Sequence, residues 1–339
     1  MRTVPKRRAG LALLVVMFFI LLAVSGIATF LRRATIDGMV VRNRDFAARS
    51  EALARGGIRL ATALLLQDRV DETEAEFRAE TRHELWAQVG ASPLRVTDGG
   101  ELHLRIEDAG ARLNLNSLVL DGTVRDELAE GFLTEVLDRV IEEIPGGAEK
   151  RNSDAEELAR NLLDYLDEDN VGITGSLEDD YYQRQEPAYR AANRPLLSVD
   201  ELGLVEGFDG PLVEALRPYV SVYPLTGGDG INPNTAAPWV LALLYHGTTS
   251  DYRLAVADTV RDILELRETG DVLCESSEGS ECIAVAEAIE GEIFPPLTFE
   301  TDVFRVEARA RYGDVERTVT AWLDRSDPAE PRWLAWDVR

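Results

Sequence analysis

Basic side chains are scarce in this 339-residue chain: 36 Lys and Arg stand against 61 Asp and Glu, a formal charge of -25. That balance argues against nucleic acid as a partner, because phosphates need Lys and Arg to displace their counterions. It argues against a surface for anionic lipid headgroups for the same reason. Histidine is equally sparse: His83, His103 and His246 are scattered, and with two cysteines they make no zinc pattern. Gly-rich phosphate loops and nucleophile–base signatures are missing as well, so the residues point away from an enzyme. What the acidity does suit is an ectodomain that could hold hard cations.

The two cysteines, Cys274 and Cys282, flank a short polar segment. In an oxidising compartment they would form a local disulfide, worth about 2–3 kcal/mol for so short a loop. In a reducing one they would be two free thiols.

One long uncharged stretch is present. Leu11 to Leu31 is 21 residues without a charge, and as a helix it spans about 31 Å, close to the hydrocarbon thickness of a bilayer. A secretory signal has a shorter apolar centre with its small residues after it. Here Ala9-Gly10 come before the run, behind Lys6, Arg7 and Arg8. The positive leader keeps the N-terminus cytoplasmic and places the chain beyond Arg32 outside. The helical pattern then continues. From Arg32 to about Gln67 there is no Pro, and Ile36, Met39, Val40, Leu53, Leu60 and Leu64 recur at helical spacing. Gly38, Gly56 and Gly57 are weak points, each costing about 1 kcal/mol relative to Ala. Taken alone, this segment fits an ordinary single-span anchor equally well.

Beyond the helix, residues 94–120 alternate around Gly99-Gly100 and predict a hairpin. Helices are predicted at about 124–143 and 154–167, the second capped by Ser153-Asp154. Residues 164–196 then form a long acidic, aromatic loop without periodicity, a length usually reserved for function or ligand binding. Short helices, a strand at about 219–223, and helices at about 235–245 and 251–268 follow. The chain ends in an antiparallel meander turning at Gly313-Asp314, with Trp322, Trp333 and Trp336 as strand core residues. One pattern recurs: "ARLNLNSL" (111–118) and "DGINPNTA" (229–236) each carry Asn-x-Asn-Ser/Thr before an apolar stretch, which predicts helix capping. The recurrence suggests a helical insertion between two parts of one scaffold. "SVDELGLVEGF" is similar to a helix-hairpin-helix, but its turn, Val205 to Asp209, is acidic and lacks Lys, so DNA binding is not expected.

Several stretches in order carry a family resemblance: the basic leader with Ala9-Gly10, "RLNLNSL", "LLDYLDEDN", "EDDYYQ", "PAYRAANRPLLSVDELGLVEGF" and "INPNTA". Together they resemble the K-type minor pseudopilins of bacterial type II secretion. The segment from about 246 to 300, with both cysteines, carries little of this resemblance. It implies an α+β, pilin-like scaffold with a long N-terminal transmembrane helix, an antiparallel sheet and a large helical (SAM-like) insertion. The chain divides accordingly into a prepilin leader (1–10), a transmembrane helix (11–31), a first scaffold part (32–119), the insertion (120–218) and a second scaffold part (219–339). Further implications are cleavage by the prepilin peptidase after Gly10, N-methylation of Leu11, and a tip complex with the I- and J-type minor pseudopilins that starts pseudopilus assembly from the inner membrane. Leu11 departs mildly from the Phe or Met usual at that place.

Ordinary pseudopilins carry a Glu five residues after the cleavage point, which is thought to neutralise a neighbour's N-terminal amine. K-type members lack it, and this chain has Val15 there. A subunit without that acid fits a fibre tip, with nothing ahead of it to neutralise. The resemblance also implies calcium in the insertion, with Asp164, Asp167, Asp169, Glu178, Asp179 and Asp180 as the matching acids. Calcium wants six to eight oxygens, and clustered carboxylates repel unless a cation sits among them. Asp164 and Asp167 share a face at a helix C-terminus, an unfavourable place for negative charge. The spacing is not that of an EF-hand; a solvated acidic loop is the plain alternative. Alternatives for the whole chain are a membrane-anchored periplasmic receptor, a DNA-uptake component or a minor pilin of a related type IV system.

Overall fold

In the computed structural model the described residues are 9–72, 78–146, 154–175, 177–227, 230–248, 251–268, 272–276 and 282–339. Most of the leader, residues 1–8, lies outside them.

The membrane segment and the start of the ectodomain are one uninterrupted helix, α1 (Ala9–Glu72), about 96 Å long at 1.5 Å per residue. Its first third, from Leu11 to Leu31, exposes every large apolar side chain. This is the one described helix long and apolar enough to cross a membrane. Its last third reverses that pattern: Ala54, Ile58, Ala61 and Leu65 are fully buried. They pack on an antiparallel sheet of β1 (Leu94–Arg95), β2 (Glu101–Asp108), β3 (Val303–Tyr312), β4 (Val315–Asp324) and β5 (Arg332–Val338), in that spatial order. The sheet offers Leu102, Leu104, Ile106, Phe304, Val306, Ala308, Val319, Ala321 and Leu323 to the helix, the alternate residues of each strand, as the two-residue period requires. Gly57, predicted as a weak point, packs directly against the sheet. A Cβ there would lie 2.9 Å from Leu102 Cδ1 and 3.1 Å from Ala308 Cβ. Gly38 and Gly56 face open space.

A fully buried arginine locks the lower end of α1 to this core. Arg325 donates to the Leu65 carbonyl (2.9 Å), to Asp68 (2.6 Å) and to Glu80, and lies 4.5 Å from the Phe304 ring centroid. Asp68, Glu80 and Glu84 form a tight carboxylate group, and the Arg325 guanidinium is the cation that serves it.

β2 and β3 are immediate neighbours, with Val306 opposite Ile106, although residues 109–302 separate them. The described residues between them form a second lobe with its own core. Helices α2 (Leu128–Glu143) and α3 (Ala155–Leu166) pack side by side through Phe132, Leu133, Val136, Leu158, Leu162 and neighbours. The core of this lobe also takes in residues beyond 218. Residues 236–294, including a three-stranded sheet (245–248, 251–254, 292–294) and helix α4 (Ala257–Glu268), bury Val240, Leu243, Ile263, Leu273 and Phe294 in the same core.

Other expectations are corrected in detail. Only 94–108 is a hairpin; 109–120 breaks into short 3-10 turns and two-residue strands. The predicted helix at 235–245 is a single turn (Pro238–Leu241) running into a strand, and 251–254 is strand before α4 begins. Trp333 and Trp336 are each 40% exposed. A register shift between Trp322 and Leu323 places them on the sheet edge beside α1, where Arg55 lies 5.4 Å from the Trp336 ring. Trp322 does pack inward, 4.6 Å from Tyr223.

The recurring Asn motif has a common structure. Asn114 Oδ1 accepts from Asn116 N (3.1 Å), and Asn232 Oδ1 accepts from Asn234 N (2.9 Å). The second Asn of each pair clasps a distant backbone: Asn116 bonds both N–H and C=O of Leu196, and Asn234 both N–H and C=O of Leu273. Asn114 caps the 3-10 turn Leu115–Leu118 and Asn232 closes a turn by the same i+2 bond; the second Asn of each pair is a tertiary staple. Asp108, at the end of β2, accepts from Gly110 N, Asn232 Nδ2 and Thr235 Oγ1, tying the second motif to the sheet.

Candidate metal centre

The acidic loop is built on the end of α3. Asp154 caps that helix by accepting from Glu157 N (2.9 Å), and the apolar stripe Leu158, Leu162, Leu163, Leu166 drives its inner face into the core. The stripe ends at Leu166, so Asp164 and Asp167 are carried to the helix C-terminus. The chain then folds back on itself. Asp169 Oδ1 accepts from Val171 N (2.7 Å), Asp164 Oδ1 from Ile173 N (3.0 Å), and Val171 bridges Leu177. Glu178 thereby returns to the end of α3, just before the short helix Asp179–Tyr182. Tyrosines hold this return in place: Tyr165–Tyr182, Tyr181–Tyr182 and Tyr182–Tyr189 ring centroids lie 5.6, 5.2 and 5.3 Å apart.

Of the six acids, the fold brings three together. Carboxylate oxygens of Asp167, Asp169 and Glu178 lie within 4.8 Å of one another. Asp167 and Glu178 are about nine-tenths buried, and Asp167 Oδ1 and both Glu178 oxygens have no hydrogen-bond partner. Asp164 is adjacent, but one oxygen is engaged by Ile173 N. Asp179 turns aside toward Ala191 N (3.2 Å) and Arg190 (3.7 Å), and Asp180 is exposed.

Burial, then the charges of Asp169 and Asp164, push the Asp167 carboxyl up to about 7. Burial, then Asp167, Asp164, Asp169 and Asp179, push Glu178 up to about 8. Orphaned buried carboxylate oxygens are costly unless a cation or proton compensates them. A hard divalent cation such as calcium, coordinated by carboxylate and carbonyl oxygens, fits this donor set.

One candidate was not legible in the sequence. Asn193, with φ +45°, donates to the Asp169 carbonyl, and its buried Oδ1 has no partner. It lies 24 residues beyond Asp169, and no ligand spacing marks it; "PAYRAANRPL" in the family resemblance is the one signal that touches it. Val15 sits in the exposed apolar third of α1, with no acid within that run. Gly10 and Leu11 lie in its first turn. Cys274 and Cys282 are joined as a disulfide, with Cα atoms 6.0 Å apart.

A family model described as type II secretion system (T2SS), protein K matches residues 111–225, which include the acidic loop and the first Asn motif. Type II secretion system protein K of Klebsiella pneumoniae is 32% identical over 239 residues, 70% of this chain and 69% of that one. Its counterpart in Pseudomonas aeruginosa is 34% identical over 224 residues, 61% of this chain and 62% of that one. Among solved structures, a chain of the GspK-GspI-GspJ complex from the enterotoxigenic Escherichia coli type 2 secretion system superposes with a TM-score of 0.59. The match covers 88% of this chain and 99% of that one, at 20% identity, and shows a shared fold.

Proposed function

Since the chain belongs to the type II secretion system protein K family, we propose that it is the minor pseudopilin at the tip of the pseudopilus, where it starts fibre assembly with I- and J-type partners. The carrying observation is α1. One helix has a fully exposed apolar first third long enough to span a bilayer and a last third welded to an antiparallel sheet. The exposed third first sits in lipid. It then exchanges lipid for equivalent helices inside the fibre, where packing of apolar faces replaces acyl contacts. Val15 supports the tip position. An acid buried in lipid without a partner is costly, and a subunit with no neighbour ahead has no amine to pair with it. The wide second lobe, inserted between neighbouring strands β2 and β3, supplies the bulk that stops further addition beyond the tip.

This reading makes the chain a structural component and not an enzyme, single-pass in the inner membrane, with its ectodomain periplasmic. The disulfide between Cys274 and Cys282 supports that oxidising side. The family relationship argues against the anchored-receptor alternative. Calcium is proposed at Asp167, Asp169 and Glu178, with Asn193 Oδ1 as a further donor. There it would staple the loop to the end of α3 and relieve the charge at that helix terminus.

The test is the intact mass and N-terminal sequence of the membrane-extracted protein, with and without active prepilin peptidase. A chain beginning at N-methylated Leu11 only when the peptidase is active supports the reading. A chain retaining Arg2 to Gly10 under both conditions means a plain anchor, and the tip role falls with it.

A further inference from the structure

A groove of about 1220 Å³ lies between the outer face of the sheet and the edge of the second lobe. It lacks the chain's excess of acid: seven arginines and five acids line it, with Glu101 and Asp200 pairing Arg311 and Arg217 at its rim, whereas the whole chain carries 36 basic and 61 acidic residues. One of the five acids, Asp108, is buried and spent on Gly110, Asn232 and Thr235.

The sheet wall explains how the cations concentrate. The face of β2 and β3 turned away from α1 carries no apolar core, so its alternate positions are free to be charged, and they alternate Arg with Glu. Three guanidiniums converge on one carboxylate: Glu107 contacts Arg105 (2.5 Å), Arg112 (3.1 Å) and Arg305 (3.0 Å). Burial pushes the Glu107 carboxyl up, but those three cations outweigh it and hold it below the usual carboxylate range. Arg305 and Arg309 then share Glu307 (2.9 and 3.3 Å). In this cluster four arginines, Arg105, Arg112, Arg305 and Arg309, meet Glu107, Glu307 and, 3.7 Å from Arg309, Glu316, and the side chains of Arg105 and Arg309 are 70% and 50% exposed to solvent. Across the groove the lobe contributes Trp239, 53% exposed.

We propose that this groove docks an extended, carboxylate-rich segment of an acidic partner protein. A guanidinium offers five N–H donors in a fork that matches a carboxylate in bidentate fashion. Arg and Trp together are the side chains that dominate interface energetics. The remaining surface, with its large excess of acids, repels an acidic partner, so the groove both attracts such a segment and fixes where it lands. This inference stands on the groove alone and does not depend on the tip reading.

The experiment uses the full chain in detergent micelles and a fluorescein-labelled (Asp-Glu)6 peptide, followed by anisotropy at low salt and again at about 0.3 M NaCl, where the Debye length is near 5 Å. The expected result is saturable binding that salt weakens. Arg105→Gln/Arg309→Gln removes two exposed donors, leaves the core untouched, and weakens binding about tenfold. Arg261→Gln, on the exposed face of α4, leaves it unchanged. Equal binding by wild type and the double variant overturns the proposal, as does equally tight binding of a (Lys-Ser)6 peptide. Arginine-dependent binding of a single-stranded oligonucleotide at the same affinity assigns the groove to phosphate and also overturns it. So does concentration-dependent self-association in sedimentation equilibrium that the double variant abolishes, which makes a second copy the occupant.

Discussion

Replacing Arg325 with Met tests whether one buried ion pair fixes the pose of the long helix. The guanidinium is fully buried and joins α1 (Leu65 carbonyl, Asp68), the segment after α1 (Glu80) and the end of β4. Methionine fills most of its volume, so the cavity contribution is small. What remains is a stranded Glu80 carboxylate, 2% exposed, and a half-buried Asp68. Removing one partner of a buried pair costs about 3–5 kcal/mol because the other charge is left uncompensated. Against a typical stability of about 5–15 kcal/mol that is a large fraction. Urea unfolding followed by tryptophan fluorescence reads it out, since Trp86 packs edge-on against Phe304, 5.1 Å away, inside the same core. Adding Glu80→Gln to the Met variant removes the stranded charge and should recover more than about 1 kcal/mol, because the two sites are coupled. A loss below about 1 kcal/mol in the single variant, or no recovery in the double, refutes the idea that this pair locks helix to sheet.

Asn116→Ala strands the N–H and C=O of Leu196 and the C=O of Val222, at about 1–3 kcal/mol per buried group. It should cost more than Asn234→Ala, which strands two groups of Leu273, and the reverse order in urea midpoints contradicts the staple assignment. Gly57→Val forces a side chain against Leu102 and Ala308 and should cost about 1–3 kcal/mol, whereas Gly56→Ala, facing open space, should gain about 0.5–1 kcal/mol. After chelation, folded Asp167 and Glu178 titrate near about 7 and about 8, above their unfolded values near 4. The fold then binds more protons than the unfolded chain, and its stability falls as pH rises from about 4 to about 8. Calcium at about 100 times its Kd should restore about 2.7 kcal/mol at the alkaline end, and a chelated protein whose melting point rises over that range contradicts the site.

The elements legible in the sequence are those whose burial is periodic over many residues. The 21-residue apolar run and the alternating 303–324 segment each carry a signal that no short-range competitor disturbs, and α1, β3 and β4 follow from them. Segments 109–124 and 236–254 were misread because elements of two to four residues are set by tertiary hydrogen bonds, such as those of Asn116 and Asn234, and not by local pattern. Trp333 and Trp336 are residues of the kind that fill strand cores, yet they lie on the edge strand beside a register shift and are each 40% exposed. Arg325 gave no signal at all: its partners lie some 245 and 257 residues away along the chain. In the candidate metal centre the acids are visible in the sequence as a cluster, but which three converge depends on the Val171–Leu177 return and the tyrosines beneath it.

The central claim is that this chain occupies one end of the pseudopilus. Its most direct test is immunogold labelling of the ectodomain on pseudopili sheared from cells that overproduce the fibre. Gold at a single end of each fibre, with fibres lost when the chain is deleted, is the predicted result. Gold distributed along the shaft, or fibres of normal number without the chain, contradicts it.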